Sequence, residues 1–176
     1  MARGARLGVS ADAGRPAANA SAVFFAAHAG NAALLPTLQK AGDDVDSPTT
    51  MFGIAPTAPL EIASGWGYTV VMRTLLDLGA RIDGPAGRNR PIIAAVEGHQ
   101  LDSARLLIER GANVNLADDQ GRTPLMHAAV ADFGDTRMVE LLLKAGARKD
   151  VRDAGGLTAA DYARQFNHEK TLALVK

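Results

Sequence analysis

The string TPLMHAA at 123–129 returns, with substitutions, as SAVFFAA at 21–27, APLEIAS at 58–64, RPIIAAV at 90–96 and TAADYAR at 158–164. The second residues of these heptads fall at 22, 59, 91, 124 and 159, in steps of 37, 32, 33 and 35. Such a period constrains the fold more than any local propensity, because each unit cannot bury its own apolar face and must stack on its neighbours. A second landmark keeps the same phase. The stretches LQKAG, LDLGA, IERGA and LKAGA place glycines at 42, 79, 111 and 146, each 20 residues after the heptad's second position except the last, which is 22. The two extra residues sit in VADFGD, between two expected helices, where a repeat array tolerates insertion.

One unit can be read residue by residue. Thr123 is a natural N-cap, and Pro124 at the first helical position loses no N–H that a helix would use. Ala128 and Ala129 present no bulk, so neighbouring inner helices can approach closely. A second helix is expected from about Thr136, with Met138, Val139, Leu141, Leu142 and Leu143 forming an apolar stripe. Lys144 suits the end of that helix dipole, and Gly146 supplies a left-handed residue to close it. Turn residues follow each closing glycine in DDVDS, RIDGP, NVNLADDQG and RKDVRDAGG, around a short β-like step.

These residues resemble the ankyrin repeat family. GANVNLADDQGRTPLMHAA (111–129) and GLTAADYA (156–163) are similar to its signature of Gly-Ala-x-Val-Asn, Asp-x-x-Gly-x-Thr-Pro-Leu and Ala-Ala. The resemblance covers about 19–176 and implies an all-α solenoid of stacked helix-turn-helix repeats joined by β-hairpin loops. The expected units are 19–52, 53–84, 85–117, 118–152 and 153–176, after a flexible tail at 1–18. The first unit departs from the pattern, with Ala22 in place of proline and Pro36 in its outer helix, and is expected to be irregular. The loop between the first two units is four residues longer than that between the third and fourth, and RQFNHEKTLALVK at the end is polar on one side, as a cap should be.

Composition removes several function classes. The 19 basic and 19 acidic residues cancel, so no global field draws nucleic acid or an anionic membrane. With no cysteine, thiolate metal sites, disulfides and cysteine nucleophiles are excluded. No apolar run reaches the roughly 18 residues of a membrane span. The N-terminal stretch, with Arg3, Arg6 and a single acid, Asp12, reads as a basic tail or a transit-peptide remnant. Ala-, Gly- and Arg-rich usage suggests a bacterial source.

Histidines 28, 99, 127 and 168 fall in different repeats without metal-binding spacing, and no phosphate-binding loop motif occurs. His127 is expected as a hydrogen-bonded core residue. No catalytic residue, cofactor or metal is expected, and an enzyme using His127 with Asp132 or Asp135 is the least favoured reading. The resemblance instead implies a protein or peptide partner across a concave face made by loop tips and inner-helix ends. Carried over by position, the candidate inner-helix-end residues are Trp66, Glu97, Asp132, Phe133, Gln165 and Phe166. On the loops they are Arg88, Asn89, Asp119, Gln120, Arg122 and Arg152. Trp66, Phe133 and Phe166 are large aromatics where the fold requires none, the type of side chain that anchors interfaces, or in Trp66 one that packs on a neighbouring helix or the tail. Arg88, Arg122 and Arg152 on successive loops either read an acidic partner or are simply solvated.

The leading expectation is therefore a non-enzymatic, monomeric protein-binding module, with a cytoplasmic location favoured. An accessory that masks an enzyme, or a repeat segment of a larger protein, is the alternative. The start at Met1 and the cap-like end favour a stand-alone product.

Overall fold

The computed structural model describes residues 21–50, 56–84, 90–131 and 134–176. The expected tail at 1–18 lies outside them. Ten α-helices occupy the described residues, in pairs. The inner helices are α1 (Ala22–His28), α3 (Pro59–Gly65), α5 (Pro91–Glu97), α7 (Pro124–Val130) and α9 (Ala159–Gln165). The outer helices are α2 (Leu35–Lys40), α4 (Thr69–Asp77), α6 (Leu101–Glu109), α8 (Arg137–Lys144) and α10 (Glu169–Val175). Inner packs on inner and outer on outer in chain order, so the architecture is the all-α repeat solenoid that the period requires.

Local chemistry explains the helix limits. Pro59, Pro91 and Pro124 each open an inner helix and are buried there. The hydroxyls of Ser21, Thr123 and Thr158 accept backbone N–H groups at three of the five inner-helix starts. Gly42, Gly79, Gly111 and Gly146 end the first four outer helices with φ between 91° and 95°, a conformation costly to residues with a Cβ. The inner helices close through a second left-handed position, occupied by Gly30, Gly67, His99 and Asn167. The first unit is irregular in the expected way: a 3-10 turn at Ala32–Leu34 precedes α2, and Pro36 falls in the first turn of α2, where no helical N–H is lost.

Small residues set the spacing between units. Ala63, Ala95, Ala128, Ala129, Ala159 and Ala163 are buried between inner helices, beside Leu60, Ile92 and Leu125. The tightest approach is at Gly98, where an added Cβ would stand 2.1 Å from the carbonyl oxygen of Gly65. Any side chain at 98 would have to push α3 and α5 apart.

The β-like step between units is smaller than the hairpins expected from the sequence. Among the described residues it is one antiparallel bridge, Thr49 with Thr57. The loops are instead joined by side-chain acceptors at a fixed register, four residues after the closing glycines of the first three units. Asp46 accepts the N–H of Arg81 at 3.0 Å, Asp83 that of Asn113 at 2.9 Å, and Asn115 that of Arg148 at 2.8 Å. Each bond runs from one unit to the second residue after the next unit's glycine, so the turn carboxylates and amides substitute for a strand ladder.

Candidate functional site

The loop entering the fourth unit folds around Asp118. Its Oδ1 accepts the N–H groups of Gln120 and Arg122, both at 2.9 Å, and its Oδ2 accepts Nε of Arg122 at 3.1 Å. Helix α7 then brings His127 back over this turn. His127 is 7% exposed, with Nε2 3.0 Å from Asp118 Oδ2 and Nδ1 3.0 Å from Glu97 Oε1 at the end of α5. The fifth unit repeats the arrangement at the same register: Asp153 accepts the N–H groups of Gly155 and Leu157, and the Tyr162 hydroxyl donates to its second oxygen. His127 is thus a brace between a loop and two inner helices, the hydrogen-bonded core histidine expected from its position. Its ring nitrogens are directed at Glu97 and Asp118, whereas Asp135 pairs with Arg137.

The electrostatics follow from these contacts. The hydrogen bond from His127, with its charge and that of Arg122, holds the Glu97 carboxyl below the usual range. Burial pushes Asp118 up, but the bonds from Arg122, His127 and Gln120 more than offset it and its carboxyl is also held low. Glu61 behaves oppositely. It sits at the third position of α3, which the first, third and fourth units fill with Phe24, Ile93 and Met126 and the fifth with the acid Asp161, and it is only 9% exposed. Burial pushes its carboxyl up to about 7; a 3.3 Å hydrogen bond from the Ala58 N–H opposes this and the nearby Glu97 charge adds to it.

These groups line a cleft of about 290 Å³ that runs across the second, third and fourth units. Of the sequence candidates, the cleft brings together Glu97, Asp119, Gln120 and Arg122. Glu61, Arg90, Asp118 and His127 complete its polar lining. Sequence reasoning did not select Glu61. The signal was an acid at the third helical position, three residues after an alanine N-cap, where three other units hold an apolar residue and the fifth holds the capping acid Asp161. Arg122 was expected either to read an acidic partner or to be solvated; its guanidinium is bound to Asp118 within its own loop, because the turn brings the two together. Arg152 likewise donates to the carbonyl of Gly156 at 2.7 Å.

The aromatic candidates lie at the inner-helix ends. Trp66 caps α3 and is 54% exposed, with its ring 5.3 Å from His28 and 6.1 Å from Tyr68. Phe166 caps α9, is 46% exposed and stacks on His168 at 6.0 Å; Gln165 beside it is exposed. The same cap register holds Ala29, Gly98 and Ala131 in the other units, so the fold itself asks for no aromatic there. Arg88, Asn89, Asp132 and Phe133 lie outside the described residues. Among the described residues there is no cluster of three or more side chains suited to hold a metal, and no helix is long and apolar enough to cross a membrane.

Paired helices in register, closed by glycine and joined through loop carboxylates, define a helical repeat solenoid. Comparison with known proteins makes the class specific: the family model described as "Ankyrin repeats (3 copies)" matches residues 92–176. Human cyclin-dependent kinase inhibitor 2A is 36% identical over 123 residues, covering 69% of this chain and 78% of the relative. Human cyclin-dependent kinase 4 inhibitor B is 40% identical over 113 residues, covering 62% of this chain and 78% of the relative. Human ankyrin repeat and SOCS box protein 16 is 37% identical over 91 residues, and there the chain spans only 20% of the relative's length. The chain belongs to the ankyrin repeat family. Ankyrin repeats generally mediate protein–protein interaction. These relatives are human and give the bacterial source suggested by composition no support.

Proposed function

We propose that the chain is a non-enzymatic module that binds a protein or peptide partner across the face formed by its inner-helix ends and loops. The observation that supports this most is the pair Trp66 and Phe166. Both are about half exposed at a register that the other described units fill with alanine or glycine, and neither is needed to close its helix. Large exposed aromatics are the side chains on which interface energy concentrates, each worth about 2–4 kcal/mol on truncation.

The test is quantitative affinity capture with the wild-type chain and the Trp66→Ala/Phe166→Ala double variant, beside circular dichroism and thermal melting. Partners enriched on the wild type should be lost from a variant of unchanged helicity and melting temperature. Retention of the same partners by a folded variant would sink the proposal. Loss of fold would instead make both residues part of the core.

A second reading is an accessory that masks an enzyme. It is favoured by the two relatives named as cyclin-dependent kinase inhibitors, of which the chain covers 78%. Under it, the captured partner carries a catalytic activity that falls on titration with the chain, whereas a scaffold leaves that activity unchanged.

A further inference from the structure

The cleft beside His127 holds acceptors that no described residue uses, while its donors are engaged. Glu61 places one carboxyl oxygen on the Ala58 N–H; its other oxygen receives no hydrogen bond from the described residues. Glu97 engages His127 through Oε1, and no described residue reaches its Oε2. The basic groups are committed inward. Arg122 is bound to Asp118, and Arg90 donates to the carbonyls of Ala117 and Asp83. Asp118 itself is saturated by its own loop and by His127. Among the described lining residues, four carboxyl groups, with exposed Asp119 at the rim, therefore stand against two guanidinium groups and one imidazole.

Resting on the binding function proposed above, we infer that this cleft receives an arginine side chain of the partner, its guanidinium bridging the spare oxygens of Glu61 and Glu97. A guanidinium presents five N–H donors in one plane, enough to engage two carboxylates at once in a fixed orientation. The volume agrees, since about 290 Å³ lies just below the roughly 300–1,000 Å³ of small-molecule sites and suits one long side chain. Glu61 adds a second mark of an incomplete site: it is only 9% exposed and has no basic partner among the described residues, whereas its counterpart in the fifth unit, Asp161, is paired with Arg164. An acid pushed up to about 7 is one that an incoming cation would ionise.

The probe is N-acetyl-arginine amide, titrated at low ionic strength into the isotopically labelled full chain and followed by amide shifts. N-acetyl-citrulline amide, its uncharged analogue, is the control. Saturable shifts at 61, 97 and 119–122 are expected with arginine and not with citrulline. Glu61→Gln/Glu97→Gln should weaken binding at least about tenfold. If that pair melts early, Glu97→Gln alone, at an exposed side chain, gives the same reading. No saturable shift, an equal response to citrulline, or unchanged affinity in the folded variants would overturn the proposal. Partner capture that still depends on Trp66 would then leave the binding function standing and remove only the arginine; failure of capture removes the function itself.

Discussion

Replacing Leu107 by alanine should lower the unfolding free energy by about 2–5 kcal/mol, measured by urea denaturation. Leu107 is fully buried on α6 at the middle of the array, where α6 meets α4 and α8 as well as the inner helices of its own and the preceding unit. Truncation removes apolar contact on several sides at once, and neighbours tied into both adjacent units cannot collapse into the space left. Because each unit lacks a complete core, the loss should reach units on either side, with a single transition shifted to lower urea. A loss under about 1 kcal/mol would place Leu107 outside the inter-unit core.

The second large effect is on pH dependence. Glu61 rises from 4.5 to about 7 in the folded chain, so the native state holds its proton more tightly than the unfolded state does. The stability linked to this shift is complete below pH 4.5 and is lost as pH rises through about 7. The shift corresponds to about 3 kcal/mol at most. Glu61→Gln keeps an acceptor for the Ala58 N–H and removes the titration. The difference in stability between variant and wild type should therefore change by up to about 3 kcal/mol between pH 4.5 and 8, moving in favour of glutamine as pH rises. Other groups that titrate in both proteins largely cancel in that difference. A pH-independent difference would contradict the buried, protonated state of Glu61.

Much of this architecture was legible because the repeat writes it several times. Proline at the helix start, alanines between inner helices and glycine at the outer-helix end each have one local physical reason, recurring near every 33 residues. The loops were less legible. Asp46, Asp83 and Asn115 stood in plain view as turn residues, but their bonds cross to the next unit, and only stacking reveals the partner. Gly98 was similarly opaque, since its backbone is ordinary at φ −78° and the reason for glycine is the carbonyl of Gly65, more than thirty residues away.

The site divided along the same line. Trp66 and Phe166 stood out by register, because the same cap position carries alanine or glycine in the other units; at Gly98 it lies against the Gly65 carbonyl and admits no side chain. The cleft did not, because Glu61, Glu97 and His127 come from three different units and meet only through helix spacing. Arg122 shows the limit most clearly: a basic residue at a loop tip reads as available until the turn places Asp118 beside it.

Hydrogen exchange of the chain alone and with its captured partner tests the proposed recognition face most directly. Added protection is expected at 64–68, 97–99, 118–122 and 164–168, the inner-helix ends and the loop beneath the cleft, with the outer helices α4, α6 and α8 unchanged. Protection confined to those outer helices, with the inner-helix ends exchanging as before, would contradict it.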